Sequence, residues 1–236
     1  MRVDLIAYTP DPEAAVAAAA RICYSDRGAV DLKKGLSREE ISSLLKRLIS
    51  MGHLSPIEHA SFTFAIEGVS RSLSHQLVRH RIASYSQKSQ RYVNENNFSY
   101  ITPPTIAADP KALALYEQVM GELKEAYGKL AGIVPREDAR YLLPNATETK
   151  LVCTMNARSL YNFFRMRCCR RAQWEIRELA LRMREQVRQV APILFVSAGP
   201  SCEVDGICWE GEFSCGKVQD VRCREVADDG RDHLGT

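Results

Sequence analysis

Short β-type runs alternate along this chain with amphipathic segments that carry helix caps, and this alternation constrains the fold more than any other feature. Residues that favour strands are concentrated at 3–8 (VDLIAY), 60–66 (ASFTFAI) and 151–156 (LVCTMN), and Gly68 is expected to end the second run. A sheet built from so few strands must be covered by helices to bury its apolar face. The alternation therefore predicts an α+β fold, with long helices around a modest, mainly antiparallel sheet. An irregular tail is predicted from Gly199.

The helices are predicted from their caps and from apolar residues at helical spacing. Ser37 and Glu40 form a capping-box pattern for one helix, which Gly52 ends. Asn156 can cap a helix that we expect to continue to about Val190 without a break. Further helices are predicted at about 12–23, 70–79, 110–131 and 135–143, and a loop leading into a strand is predicted at 85–93.

Positive charge is concentrated in two segments of a chain whose formal net charge is only +3. Residues 71–91 carry five lysines and arginines and no acid, and residues 158–184 carry eight arginines against two glutamates. Arginine offers paired donors that match phosphate oxygens, so these segments favour a phosphate-bearing ligand. The alternative is that both are solvated helix faces without a ligand.

No membrane span and no secretory signal are predicted, because no apolar run approaches the roughly 18 to 20 residues that a bilayer requires. Eight cysteines without a signal indicate a reducing compartment, so we expect a cytoplasmic protein with free thiols. The tail cysteines lack the C-x-x-C spacing of common zinc sites, and a metal or a disulfide among them is the alternative to free thiols. They are Cys202, Cys208, Cys215 and Cys223.

Arg167 lies at the end of an apolar stripe on the helix predicted after Asn156. At about 100° per residue, Leu160, Phe163 and Arg167 share one face of that helix. A guanidinium in such a stripe needs an acceptor. A ligand and a buried structural partner are equal candidates for that acceptor, and snorkelling of the side chain to the rim is a third.

A second polar group runs from Arg79 to Arg91. Its cations, amides and hydroxyls include no carboxylate, and they match the donors and acceptors of a nucleotide's phosphate, ribose and base. A non-catalytic RNA- or anion-binding module using the same arginines is the competing interpretation. The low overall basicity and the presence of only two interleaved aromatics favour a mononucleotide-sized ligand.

Two histidines flank a glutamate in the segment GHLSPIEH at 52–59, a combination that suggests a metal site. Neither H-E-x-x-H nor H-x-x-E-H is present, and Pro56 prevents the continuous helix on which those motifs depend. We therefore predict a loop that lines a polar pocket, and no metal.

Four segments, taken in order, resemble the flavin-dependent thymidylate synthase (ThyX-type) family. The string RHRIASYSQKSQR at 79–91 carries the family motif, and GHLSPIEH at 52–59, NARSLYNFFRMR at 156–167 and AQWEIRELA at 172–180 agree with it. The absence of Gly-x-Gly-x-x-Gly after a strand fits a family that does not hold its flavin in a Rossmann crevice. The resemblance covers about residues 1–197, which we predict to be the enzyme domain, with residues 198–236 as a cysteine-containing tail.

The resemblance implies a homotetramer that binds FAD between subunits and converts dUMP to dTMP. In the family, 5,10-methylenetetrahydrofolate is the one-carbon donor, NADPH reduces the flavin, and the reduced flavin supplies the hydride that completes the methyl group. Tetrahydrofolate is released. The resemblance implies small-molecule substrates, with neither a nucleic-acid partner nor a membrane.

The same resemblance implies site residues by position. Those implied to contact FAD are Ser55, Arg79, His80, Arg81, Gln87, Asn156, Ala157, Arg158 and Asn162, with His53 and Glu58 on a loop near the flavin. Those implied to bind dUMP are Gln76, Leu77, Val78 and Arg79 from one subunit, Gln87, Lys88, Ser89, Gln90 and Arg91 from another, and Arg140 and Arg167.

Arg167 resembles the family residue that acts on the pyrimidine, and the chemistry accounts for its type. Uracil must gain electron density to react, so a guanidinium near N3 and the ring oxygens can stabilise the ionised ring. Arginine stays charged and therefore acts as an electrostatic partner, not as a base. Ser89 has no histidine–carboxylate pair beside it in the sequence, so we expect it to position dUMP rather than attack it.

Two positions depart from the commonest family pattern. Gln87 stands where many members have Glu, and Arg171 stands where some have His. Gln87 can form hydrogen bonds but carries no negative charge. The flavin and folate contacts at these two positions are therefore left open.

Overall fold

A computed structural model describes residues 1–223 of the protein. Four strands form its main sheet: Arg2–Tyr8 (β1), Ser61–Ser70 (β2), Ser84–Gln87 (β3) and Glu148–Asn156 (β4). Their order is β1-β2-β4-β3, and every neighbouring pair is antiparallel. The predicted α+β class is confirmed.

Helices account for most of the remaining regular structure. The α-helices in the described chain are Pro12–Arg21 (α1), Ala29–Gly35 (α2), Arg38–Ser50 (α3), Arg71–Leu77 (α4), Pro104–Ala107 (α5), Pro110–Ala131 (α6), Arg136–Ala139 (α7), Ala157–Arg167 (α8), Trp174–Val190 (α9) and Ser201–Val204 (α10). Short 3-10 helices lie at Ile22–Tyr24, Pro56–His59, Arg140–Leu142 and Gly211–Phe213. The predicted capping box is present, because Ser37 Oγ accepts from the Glu40 N–H and the Glu40 carboxylate accepts from the Ser37 N–H.

One face of the sheet carries the core. Phe62, Phe64 and Ile66 alternate along β2 and are fully buried, and they lie beside Cys153 and Met155 of β4. The helices α4, α8 and α9 pack against these strands. Period-two alternation therefore selects the face of the sheet that α4 and α8 cover.

A bulge in β2 corrects the expectation that Gly68 ends this strand. Ile66 pairs with Leu151 and Val69 pairs with Thr149, so two residues of β2 stand opposite one residue of β4. Gly68 has a φ of 67°, a conformation that glycine adopts without strain. The strand continues through the bulge, and both Ile66 and Val69 face the core.

The single helix predicted from Asn156 to Val190 is wrong, because the structure has two helices there. α8 ends at Arg167, and α9 begins at Trp174. The Gln173 side-chain oxygen accepts from the backbone N–H groups of Glu175 (3.0 Å) and Ile176 (3.2 Å), and it caps the second helix. Glutamine is not among the favoured N-caps, so cap rules do not indicate this break.

Two shorter predictions also change. The segment 135–143 is only one turn of α-helix, α7, followed by a 3-10 turn. In the segment 85–93, the strand comes first: β3 pairs with β4 and the loop follows it. Pairing with a neighbouring strand, rather than residue preference, decides the structure of such an edge strand.

Residues 198–223 are largely irregular, as predicted. They contain α10 and the two-residue strands Ile207–Cys208 (β5) and Asp220–Val221 (β6), which pair in parallel. All eight cysteines are free thiols. In the described part of the chain, no helix is both long enough and apolar enough to cross a membrane. The predicted disordered end falls on residues 224–236, outside the described residues, and the division at residue 197 stays a prediction.

Candidate active site

A buried carboxylate fixes the start of α4. Glu175 of α9 accepts from the Ser70 N–H (2.7 Å) and from the Ser70 hydroxyl (2.5 Å), and the same hydroxyl oxygen accepts from the Leu73 N–H (3.0 Å). Hydrogen bonds to an ionised group are strong when water is excluded. These bonds anchor the start of α4. Arg79 and His80 follow shortly after the other end of this helix.

A tyrosine of β3 holds the turn after α4 in place. The Tyr85 hydroxyl lies 2.9 Å from the Leu77 carbonyl oxygen and 2.8 Å from the His80 carbonyl oxygen, so one O–H is shared between two acceptors. Burial, with a smaller contribution from Cys153, raises the pKa of Tyr85 far above its usual value. The hydroxyl therefore keeps its proton and fixes the backbone at His80.

His80 and Arg167 form the central pair of the site. The Nε–H of Arg167 donates to Nε2 of His80 (3.1 Å), and the His80 ring stands edge-on to Phe163 at a centroid distance of 4.9 Å. His80 is only 8% exposed, and burial, followed by the charge of Arg167, lowers its pKa to about 4. At neutral pH the imidazole is therefore uncharged and can act as an acceptor.

This pair answers the question that the apolar stripe left open. The acceptor of Arg167 is a structural partner, His80, and it engages only Nε. Nη1 and Nη2 of Arg167 have no hydrogen-bond partner among residues 1–223, so a ligand can use both. Burial lowers the pKa of the Arg167 guanidinium, but this group remains a cation at working pH.

A cavity of about 620 Å³ opens beside His80, at the start of α8, and Arg167 is not part of its lining. Asn156 caps that helix by accepting from the Ser159 N–H (2.9 Å), and Arg158 pairs with Glu58 at the rim. The cavity brings together most of the residues implied to contact FAD. Its lining is Glu58, Arg79, His80, Arg81, Ile82, Asn156, Arg158, Ser159 and Asn162. Ile82 and Ser159 were not among the implied site residues, although both lie inside the matched segments 79–91 and 156–167.

Four residues of the implied FAD set do not line this cavity. His53 and Ser55 are exposed on the loop before a 3-10 helix, and Ala157 is fully buried beneath the start of α8. The Gln87 side chain donates to the Thr149 hydroxyl (3.1 Å) across β3 and β4.

The implied dUMP residues divide between two places. Gln76 and Leu77 lie on the last turn of α4, and Val78 and Arg79 follow it beside the cavity. The remaining residues, apart from Arg167, lie at the end of β3, on the loop that follows it, or beside α7. They are Gln87, Lys88, Ser89, Gln90, Arg91 and Arg140.

Contacts around Glu137 organise this second place. Arg91 forms an ion pair with the Glu137 carboxylate (2.8 Å), and Arg140 Nε donates to the Glu137 carbonyl (3.0 Å). Arg71 donates to the Lys88 carbonyl (2.8 Å). We call Arg71, Lys88, Arg91 and Arg140 the second basic cluster, and none of the four lines the 620 Å³ cavity.

A metal site was considered for the loop at 52–59 and for the tail cysteines. Within residues 1–223, no group of three or more His, Cys, Asp or Glu side chains is arranged to hold a metal ion. Glu58, the carboxylate between the two histidines of the loop, instead forms its ion pair with Arg158.

The fold and site define an α+β protein whose cationic pockets suit phosphate-bearing ligands. Residues 4–193 match the family model described as thymidylate synthase complementing protein. The chain is 52% identical to the flavin-dependent thymidylate synthase of Clostridium tetani over 239 residues, which cover 94% of this chain and 96% of the relative. It is also 52% identical to that of Geobacter sulfurreducens over 225 residues, covering 94% and 97%, and 48% identical to that of Nitratidesulfovibrio vulgaris over 231 residues, covering 92% and 94%. The chain therefore belongs to the flavin-dependent thymidylate synthase family, which confirms the resemblance of its motifs.

Proposed function

We propose that this protein catalyses the FAD-dependent reductive methylation of dUMP to dTMP. The one-carbon donor is 5,10-methylenetetrahydrofolate, NADPH is the reductant, and tetrahydrofolate is released. One observation carries the proposal: the cavity in which Arg79, His80, Arg81 and the start of α8 converge, in a chain of this family.

The chemistry of the 620 Å³ cavity matches a flavin dinucleotide, and we call it the flavin cavity. Arg79, Arg81 and Arg158 supply cationic donors for a diphosphate, and the amides of Asn156 and Asn162 both donate and accept. Its volume lies in the range of ligand pockets, which is about 300 to 1,000 Å³. When bound there, FAD supplies the hydride that completes the methyl group. Family position adds four further contacts to the proposal: His53, Ser55, Gln87 and Ala157.

We assign to Arg167 the stabilisation of the reacting pyrimidine. The Nε–H of Arg167 donates to the neutral His80, which fixes the orientation of the guanidinium and leaves Nη1 and Nη2 to bind the ligand. A cation fixed in place before the reaction stabilises negative charge that develops on the uracil ring without having to reorganise. Arg167 remains charged throughout, so it binds and orients the ring and removes no proton.

The second basic cluster is assigned to the dUMP phosphate, with Ser89 in a positioning role. Because this cluster does not line the flavin cavity of its own chain, we propose a homotetramer in which the two basic regions meet between subunits. Large exposed apolar side chains stand beside both regions and support such an interface. Ile82, Tyr92 and Tyr141 are 77%, 75% and 84% exposed. We place the activity in the cytoplasm, where the eight thiols stay reduced.

Tritium release from C5-labelled dUMP tests the proposal. We expect purified protein that is yellow or accepts FAD, and release that requires both methylenetetrahydrofolate and NADPH. A colourless protein that resists FAD reconstitution, or release that does not need the folate, contradicts the proposal. RNA binding without any turnover would instead favour the non-catalytic anion-binding module.

A further inference from the structure

The C-terminal tail forms one wall of a second cavity, of about 510 Å³, which we call the tail cavity. Arg165, Arg167 and Arg171 lie on one side, on α8 and the turn that follows it. Trp209 and Glu210 of the tail lie on the other side. The tail wall falls outside residues 4–193, the part of the chain that the family model matches.

Ion pairs and hydrogen bonds hold this wall in place. Glu203 of α10 bonds Arg184 of α9 (2.8 Å) and Lys217 (2.7 Å), so one carboxylate joins α9 to two parts of the tail. Arg188 of α9 donates to the Ala198 carbonyl (3.1 Å). The indole of Trp209 lies under the guanidinium of Arg222, 5.8 Å from it. These contacts anchor the tail to α9.

The tail cavity has an excess of positive charge. Arg171 stacks over the Phe213 ring at 5.1 Å, and within residues 1–223 it has no carboxylate partner. The carboxylate of Asp205 is 3.7 Å from Arg165, a long ion-pair distance. Among the described residues of the lining, Glu210 is the only acidic one. Guanidinium groups gathered in a partly enclosed site favour an anionic ligand.

The tail cavity continues the flavin cavity along α8. Asn162 lines both cavities. A smaller cavity of about 230 Å³ touches Arg158, which lines the first, and Arg165, which lines the second. A ligand that reaches the flavin can therefore extend into the tail cavity.

We propose that the tail cavity binds the glutamate carboxylates of the folate co-substrate, and that it favours a folate with several γ-linked glutamates over one with a single glutamate. This inference rests on the proposed function. Arg165 and Arg171, at separate positions beside the indole of Trp209, suit an extended chain whose negative charges are spaced apart, while Arg167 keeps its role at the pyrimidine. A compact phosphate group needs only one set of adjacent donors. The second basic cluster already supplies such a set, so the tail cavity is not needed for a phosphate.

The test compares KM for methylenetetrahydrofolate in its monoglutamate and pentaglutamate forms, with the full-length enzyme and saturating dUMP and NADPH. We expect the pentaglutamate KM to be about tenfold lower, as for about 1.4 kcal/mol of added binding. Arg171→Ala should reduce this preference to under about threefold. The matched control is Arg170→Ala, which removes the same charge from the adjacent exposed residue outside the cavity lining and should keep the preference.

Several results would overturn the inference. They are equal KM values in the unchanged enzyme, an unchanged preference in Arg171→Ala, or an equal loss in Arg170→Ala. In Arg171→Ala, a rise in the KM for dUMP with the folate preference intact would show that Arg171 contacts the nucleotide and not the folate.

A binding measurement separates this inference from the proposed function. Binding of free penta-γ-glutamate should change the fluorescence of Trp209 in the unchanged protein, and Trp209→Phe identifies which part of the signal comes from this residue. The binding should weaken at high salt, and its affinity should fall in Arg171→Ala. If the protein binds this peptide but forms no dTMP, the proposed function fails while the anion site stands. If dTMP forms but neither the preference nor the binding is seen, the tail-cavity inference alone fails.

Discussion

His80→Gln tests whether the buried imidazole is held in its neutral form. Glutamine offers an oxygen acceptor to Arg167 and does not titrate. The pKa of His80 is about 4 in the folded protein, against an ordinary value of 6.5, with burial as the main cause and the charge of Arg167 second. Below pH 6.5 the unfolded chain therefore takes up a proton that the folded protein refuses until about pH 4.

The sign and size of the effect follow from this difference. Stability that is present above pH 6.5 is lost as the pH falls, because the unfolded state binds more protons. Each pKa unit corresponds to about 1.4 kcal/mol, so the full loss is about 3 kcal/mol, with about 2 kcal/mol of it between roughly pH 7.5 and pH 5. His80→Gln should lack this part of the pH dependence.

Urea unfolding at a series of pH values measures the difference. Subtracting the curve of the variant from that of the unchanged protein removes the carboxylates that both share. His59→Gln, which changes an exposed imidazole, is the control and should keep the slope of the unchanged protein. Identical slopes for the unchanged protein and His80→Gln would refute a neutral, buried His80.

Three further changes test other parts of the site. Arg167→Ala should retain its flavin absorbance but lose most tritium release, and undiminished turnover would remove Arg167 from the chemistry. Glu175→Ala leaves the Ser70 N–H without its buried acceptor and should lower the free energy of unfolding by about 3 kcal/mol in urea. Glu178→Ala, which removes a surface ion pair, should cost under about 0.5 kcal/mol, and a similar loss in both variants would refute the assigned role of Glu175. Ser89→Ala should raise the KM for dUMP while turnover persists at saturation, whereas abolished turnover at unchanged affinity would identify Ser89 as a nucleophile.

Local signals in the sequence predicted the parts of the fold that depend on neighbouring residues. The caps at Ser37 and Asn156 are in place, because a side chain that satisfies the first N–H groups of a helix acts within three residues. The alternation of Phe62, Phe64 and Ile66 selected the buried face of β2 in the same way. The family motif also pointed to most of the residues that line the 620 Å³ cavity.

Contacts between distant residues account for most of what the sequence did not predict. The Glu175–Ser70 bonds join segments 105 positions apart, whose meeting depends on the whole fold. The acceptor of Arg167 is likewise 87 positions away, at His80. The Gln173 cap is local, but it was missed because glutamine is not a favoured N-cap residue. The tail cavity was missed because the tail lacks periodicity, and its wall depends on ion pairs made by Glu203.

The bulge at Gly68 makes the number of residues in β2 as important as their identity. Val69 lies three residues after Ile66, a spacing that would place it on the opposite face of a regular strand, and it faces the core because Glu67 and Gly68 together stand opposite one residue of β4. Deleting Gly68 alone should therefore give a regular ladder in which Val69 still lies opposite Thr149 and Ser70 still lies opposite Glu148. Deleting both Glu67 and Gly68 would place Val69 directly after Ile66 and turn it outward, since alternate strand residues face opposite sides. Relatives with and without the bulge should therefore differ by one residue in β2 and keep the same residues in the core.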